Sequence, residues 1–101
     1  MRGETIFLEL FGKNPRAKVL DFLIENDIFD YSKKQIAELS KISFNSLDKF
    51  WENLIDFNII EKTRKVGKSE MFRINKKDEI VKCLSKIDKV LALRTLEKIE
   101  E

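Results

Sequence analysis

Two helix starts lie close together in the middle of this chain, and that closeness restricts the fold more than any other feature. Residues 32 to 57 read Ser-Lys-Lys-Gln-Ile-Ala-Glu-Leu-Ser-Lys-Ile-Ser-Phe-Asn-Ser-Leu-Asp-Lys-Phe-Trp-Glu-Asn-Leu-Ile-Asp-Phe. The hydroxyl of Ser32 can accept from the free N–H groups of a first helical turn, and Ser43 repeats the signal soon afterwards. Ile36, Ala37 and Leu39 supply the apolar side of the first helix, and Ser40-Lys41-Ile42 forms the turn. The second helix carries Leu47, Phe50, Trp51, Leu54 and Phe57 at spacings of three and four, which align them along one side. Its opposite side holds Asn45, Asp48, Lys49, Glu52, Asn53 and Asp56 and is polar throughout.

The flanking sequence has equally local signals. Thr5 to Phe11 is an apolar run ending at Gly12, read as a short helix stopped by the glycine. Asn14-Pro15 opens the next helix, with Asn as cap and Pro where its missing N–H costs nothing. Ala17, Val19, Leu20, Phe22, Leu23 and Ile24 fill that helix, which fades near Asn26-Asp27. Ile28-Phe29-Asp30-Tyr31 is an extended connector with room for one small strand. Residues 59–66 and 69–74 flank Gly67-Lys68 and read as a hairpin, with Ile60, Lys62, Arg64 and Val66 on one side of its first strand. Asn75 or Asp78 caps a final helix running to about Glu100. Two apolar stripes mark it, one through Ile80, Cys83, Leu84, Ile87, Val90 and Leu91, the other through Ala92, Leu93, Leu96 and Ile99. A straight amphipathic helix needs only one stripe, so the second implies a bend between Ile87 and Val90 or a second packing partner.

Helix, extended piece, two closely joined helices and hairpin follow one another from Asn14 to Ile74, and in that order the chain resembles the winged helix-turn-helix domain of small prokaryotic and archaeal transcriptional regulators. The residues carrying the resemblance are Ile36-Ala37-Glu38-Leu39-Ser40-Lys41-Ile42-Ser43, then Asn45-Ser46-Leu47 and Leu54, with Lys41 where the family usually has glycine. The expected fold class is mainly α with a small β-hairpin (α+β), a winged helix-turn-helix with a long C-terminal helix. The expected layout is one domain over 1–101: an N-terminal apolar segment 1–12, the winged unit 13–75, and a C-terminal helix 76–101 for dimerisation. The resemblance implies that helix 44–57 enters the major groove of double-stranded DNA, while hairpin 59–74 holds the backbone or minor groove. It also implies a homodimer paired through terminal helices, and Leu84, Ile87, Leu91, Leu93, Leu96 and Ile99 are the residues expected at that interface.

Charge fits this reading. The net charge of +2 is unevenly spread, because residues 59–77 hold seven Lys or Arg against Glu61 and Glu70. Phosphate neutralisation supplies most non-specific affinity for DNA, so Arg64, Lys65 and Lys68 are candidate contacts. Asn45, Ser46 and Lys49 are the candidates for base edges, since Asn suits adenine and Lys suits guanine or phosphate. Asn53 lies further along. Ser43 caps the helix and, with the N–H of Phe44, could hold a phosphate. Lys33 and Lys34 could grip the backbone without reading sequence. Phe44, at the edge of the apolar side, is open to packing inside or to touching a thymine methyl. Trp51 is expected in the core rather than as a stacking platform. Glu52 and Asp56 would repel phosphate, so only the N-terminal half of the helix should dock. The alternative function is a winged-helix protein-interaction module, which Asp48, Glu52 and Asp56 favour.

Other classes are poorly served. With no histidine and one cysteine, Cys83, the usual zinc sites and Ser-His or Cys-His nucleophiles are out of reach. No cofactor, no metal and no enzymatic activity are expected, and Cys83 reads as a small buried hydrophobe. A lone cysteine suggests a reducing compartment, most simply the cytoplasm. No run approaches the roughly 18 apolar residues of a membrane span.

Overall fold

A computed structural model describes residues 5–100, the side chains of Ile99 and Glu100 excepted. The elements are α1 (Ile6–Phe11), α2 (Pro15–Glu25), β1 (Tyr31–Ser32), α3 (Lys33–Leu39), α4 (Phe44–Asp56), β2 (Ile60–Val66), β3 (Ser69–Ile74) and α5 (Glu79–Glu100). This is the expected order, and residues 1–4 of the expected N-terminal segment lie outside the described residues.

Each helix begins where its cap residue says. Thr5 accepts from Leu8 N, Asn14 from Ala17 N, Ser32 from Gln35 N and Ser43 from Ser46 N. Gln35 reaches back to Ser32 N at 2.9 Å, completing a capping box. Gly12 ends α1 at φ 91°, a region that side-chain-bearing residues avoid. The turn between α3 and α4 closes through Ile42 N donating to Ala37 O at 3.0 Å. It needs a left-handed residue, and Lys41 takes that conformation at φ 63°.

Antiparallel strands are ordered β1-β3-β2, so Tyr31 at the end of the connector and the cap residue Ser32 extend the hairpin into a three-stranded sheet. Gly67 at φ 61° starts the two-residue turn. The register shifts between Lys62 and Arg64, where Thr63 forms a bulge. That bulge interrupts the simple alternation expected for Ile60, Lys62, Arg64 and Val66, and it turns Thr63 and Arg64 together towards Asp30.

The core gathers Val19, Leu23, Ile36, Leu47, Phe50, Trp51, Leu54, Phe72, Ile74 and Val81 from all parts of the winged unit and the start of α5. Trp51 packs edge-on against Phe72 at 4.9 Å and is core, as expected. Phe7, Leu8 and Ala17 form a smaller cluster that joins α1 to α2. Three expected burials differ. Leu39 and Phe57 stand at the margins of their helices' apolar sides and are 51% and 61% exposed, because neither has an element packed over it. Cys83 is exposed as well, since only the first turn of α5, at Val81, reaches the core. Helix α5 is one continuous span of 22 residues. No helix among the described residues is long and apolar enough to cross a membrane.

Candidate nucleic-acid interface

Helix α4 stands out from the core as a ridge. Its apolar residues face inward, which leaves Asn45, Lys49 and Asn53, four residues apart, as an exposed stripe. Ser46 is half-buried beside them, and Ser43 both accepts from its N–H at 3.0 Å and donates to its hydroxyl at 2.9 Å. These two serines therefore rigidify the start of the helix before any ligand arrives. Phe44 is 46% exposed, so it lies at the surface and not inside.

The flanks of the ridge are basic. On one side an open groove of about 550 Å³ brings Lys33, Lys34, Lys65 and Lys68 together with Glu52 and Glu70. On the other, a groove of about 530 Å³ is lined by Asn14, Arg16, Ser46, Lys49 and Phe50. The Arg16 guanidinium lies 5.1 Å from the Phe50 ring centre, a cation–π contact that directs it along α4. Sequence reasoning missed Arg16, although its place just after Asn14-Pro15 put it at the exposed start of α2.

Not every predicted cation is equally available. The Lys33 ammonium donates to Asp48 at 2.6 Å and lies 4.9 Å from the Phe44 ring and 5.2 Å from the Trp51 ring. Within the hairpin, Lys62 pairs with Glu70 at 3.0 Å and Arg73 with Glu61 at 3.5 Å. Arg64 makes two bonds to Asp30, from Nε at 2.9 Å and Nη2 at 3.1 Å, while the Thr63 hydroxyl donates at 2.6 Å. Those bonds to Arg64 and Thr63 hold the Asp30 carboxyl down to about 2. The Arg64 guanidinium is pushed up in return. Among the described residues of the hairpin region, Lys65, Lys68, Lys76 and Lys77 are left without an ion pair. Free positive charge on the wing thus concentrates at its tip, on Lys65 and Lys68. Nothing in the local sequence marks Asp30 as the partner of Arg64.

The expected interface residues of α5 are mostly uncovered. Ile87, Leu93 and Leu96 are exposed at 37%, 60% and 55%, Leu84 and Leu91 are half-buried, and the Ile99 side chain lies outside the described residues. Helix α1 packs against α5 and adds exposed Leu10 and Phe11. Away from the α4 face, Asp21 and Glu25 of α2 approach Asp88 of α5. Burial pushes the Asp21 carboxyl up, opposed by the Thr5 hydroxyl and reinforced by Asp88; burial and then Asp88 push Glu25 up. Among the described residues this is the one acidic group close enough to share a cation, and none lies on α4 or the wing.

No protein-family model and no curated protein matches the sequence. Solved structures do match the fold. The AntR antimony-specific transcriptional repressor aligns with a TM-score of 0.57 at 17% identity, over 94% of this chain and 78% of its own. An apo ZitR mutant from Lactococcus lactis aligns at 0.61 and 18%, over 92% and 70%. The homodimeric winged helix-turn-helix DNA-binding domain of a possible ArsR-family regulator from Mycobacterium bovis aligns at 0.58 and 19%, over 97% and 95%. The fold of the chain is the winged helix-turn-helix.

Proposed function

We propose that the chain is a transcriptional regulator that binds double-stranded DNA as a homodimer, with α4 in the major groove. The observation that carries this reading is the ridge with a basic groove on each side. A helix lying in the major groove has a phosphate strand along each flank. Lys34, Lys65 and Lys68 on one flank, and Arg16 with Lys49 on the other, are disposed to meet both strands, while Lys33 beside them is held by Asp48. Asn45 and Lys49 then face the base edges from the N-terminal half of α4, ahead of Glu52 and Asp56. Ser43, Phe44, Ser46 and Asn53 border the same stripe. The similar structures include a transcriptional repressor and a homodimeric DNA-binding domain, which supports the reading. The protein-interaction alternative loses one of its acidic contacts, because Asp48 is engaged by Lys33.

The test is a fluorescence-anisotropy titration of a mixed-sequence duplex at several salt concentrations. Lys65→Ala/Lys68→Ala should flatten the slope of log K against log salt by about one for each lysine that touches phosphate. Arg64→Ala should change it little, since Asp30 already balances that charge. Asn45→Ala/Lys49→Ala should weaken a selected site by about 1–3 kcal/mol per lost base contact and relax its sequence preference. Absence of binding even at low salt would refute the proposal.

A further inference from the structure

We infer that the chain holds a binding site for a small organic carboxylate with an apolar body, in the cavity where α2, α4 and the first turns of α5 meet. The cavity has a volume of about 330 Å³, at the lower end of the range for small-molecule sites. Leu20 of α2, Phe50 and Leu54 of α4 and Leu84 of α5 line it. Phe50 and Leu54 are buried, whereas Phe57 and Ile80, which also line it, are exposed. The cavity therefore has a deep apolar side and an apolar rim. Only the first turn of α5 reaches the core at Val81, so nothing among the described residues fills the space beside Ile80 and Leu84. An apolar body seated there removes both the deep side and the rim from water.

Charge sets the sign of the ligand. Arg16 is the one charged residue lining the cavity. Arg16 and Phe50 also line the neighbouring groove together with Lys49, so the two spaces share a wall and two cations. No acidic residue lines either space. Among the described residues neither Arg16 nor Lys49 belongs to an ion pair. Arg16 is held instead by its contact with the Phe50 ring at 5.1 Å. A guanidinium placed this way has its N–H fork to offer, and a planar carboxylate matches that fork with two parallel bonds. Because Arg16 is exposed, the ligand's charge stays at the wet rim while its body enters the cavity, and no charge has to be buried. The same Arg16 and Lys49 are the cations proposed above for one phosphate strand. On that reading of α4, a bound carboxylate takes positive charge from the DNA-facing flank and acts as a signal for release.

The experiment titrates the full, isotope-labelled chain with 1-naphthylacetate and, in parallel, with its neutral amide, following backbone amide shifts by NMR. Wild type should bind one molecule of the acid per chain at about millimolar concentration or below, with the largest shifts at Arg16, Leu20, Asn53 and Leu84. The neutral amide should bind at least about tenfold more weakly, because it lacks the charge-assisted pair. Arg16→Gln, at an exposed position, should bring the acid down to the affinity of the amide and leave the amide unchanged. Ile80→Trp adds an indole at the rim from an exposed position and should block both probes while keeping the circular dichroism of wild type. Equal affinity for acid and amide, an Arg16→Gln variant that still prefers the acid, or shifts centred on Ile87, Leu93 and Leu96 would overturn the proposal. Shifts at the cavity that follow protein concentration without any probe would give the cavity to a second copy, and would overturn it as well. With a duplex present, the acid should weaken binding and lower the salt slope by about one, and the amide should not; an unchanged slope at saturating acid would overturn the release signal. Probe binding is read without DNA, so a chain that ignores DNA leaves the carboxylate site standing, and a failed site leaves the DNA reading untouched.

Discussion

Asp30 shows how one side chain can alter what its neighbours offer to a ligand. It lies in the connector before β1, 15% exposed at the side chain, and receives Arg64 and Thr63 of β2 across the central strand β3. Arg64 itself is 64% exposed, so solvent screens the pair and its contribution to stability is modest. The pH dependence has a definite sign. The folded carboxyl titrates at about 2, below its ordinary value of 3.8, so folding favours the ionised form. That contribution is complete above the unfolded value and is lost as pH falls towards 2. The gap in melting temperature between wild type and Asp30→Asn should therefore be present at neutral pH and close between about pH 4 and 2. A gap that stays constant over this range would show that Asp30 acts through packing alone.

At the scale of elements, the joint between α3 and α4 is held in a backbone conformation that suits glycine better than its lysine. Lys41 at φ 63° carries a strain of about 1–2 kcal/mol, partly offset because glycine would be freer in the unfolded chain. Lys41→Gly should accordingly raise the urea midpoint, by roughly 0.5–1 kcal/mol in stability. An unchanged or lower midpoint would mean that the lysine side chain makes up the difference. The joint also illustrates what could be read from the chain. Asn14, Ser32 and Ser43 bond to groups only three residues away, so sequence neighbours were enough to locate these three helix starts, while the equally local cap at Thr5 went unread beside the apolar run it opens. The bulge at Thr63 and the pairs Arg64–Asp30 and Lys33–Asp48 depend on the register of the sheet and on how α3 meets α4. No local pattern encodes them. The exposure of Leu39, Phe57 and Cys83 was hidden for a related reason: periodicity gives the direction of a side chain, but packing neighbours decide whether it is covered. The two carboxylates on α2 were visible one turn apart, while their meeting with Asp88 required the placement of α5.

The molecule as a whole is elongated, 51 × 27 × 21 Å, because α5 runs on beyond the winged unit. A helix of 22 residues is about 33 Å long, and only its first turn reaches the main core. The rest carries Ile87, Leu93 and Leu96, with Leu10 and Phe11 of α1 among the other exposed large apolar residues. One leucine at a protein surface is ordinary, but several on two mutually packed terminal helices are a reason to expect a partner. A second copy of the chain fits that need by symmetry, since a twofold interface buries the same residues on both sides. Each leucine covered this way contributes about 1.5–3 kcal/mol, and each substitution acts twice. Leu93→Glu/Leu96→Glu should therefore weaken a dimer by at least about 100-fold, converting it to monomer in sedimentation velocity at micromolar concentration. Circular dichroism should be retained, because neither residue belongs to the core. Affinity for a single half-site should persist while affinity for two correctly spaced half-sites collapses, since recognition helices about 34–36 Å apart are needed to engage both. A wild-type chain that sediments as a monomer would refute the homodimer, and a variant that remains dimeric would place the pairing surface elsewhere than α5.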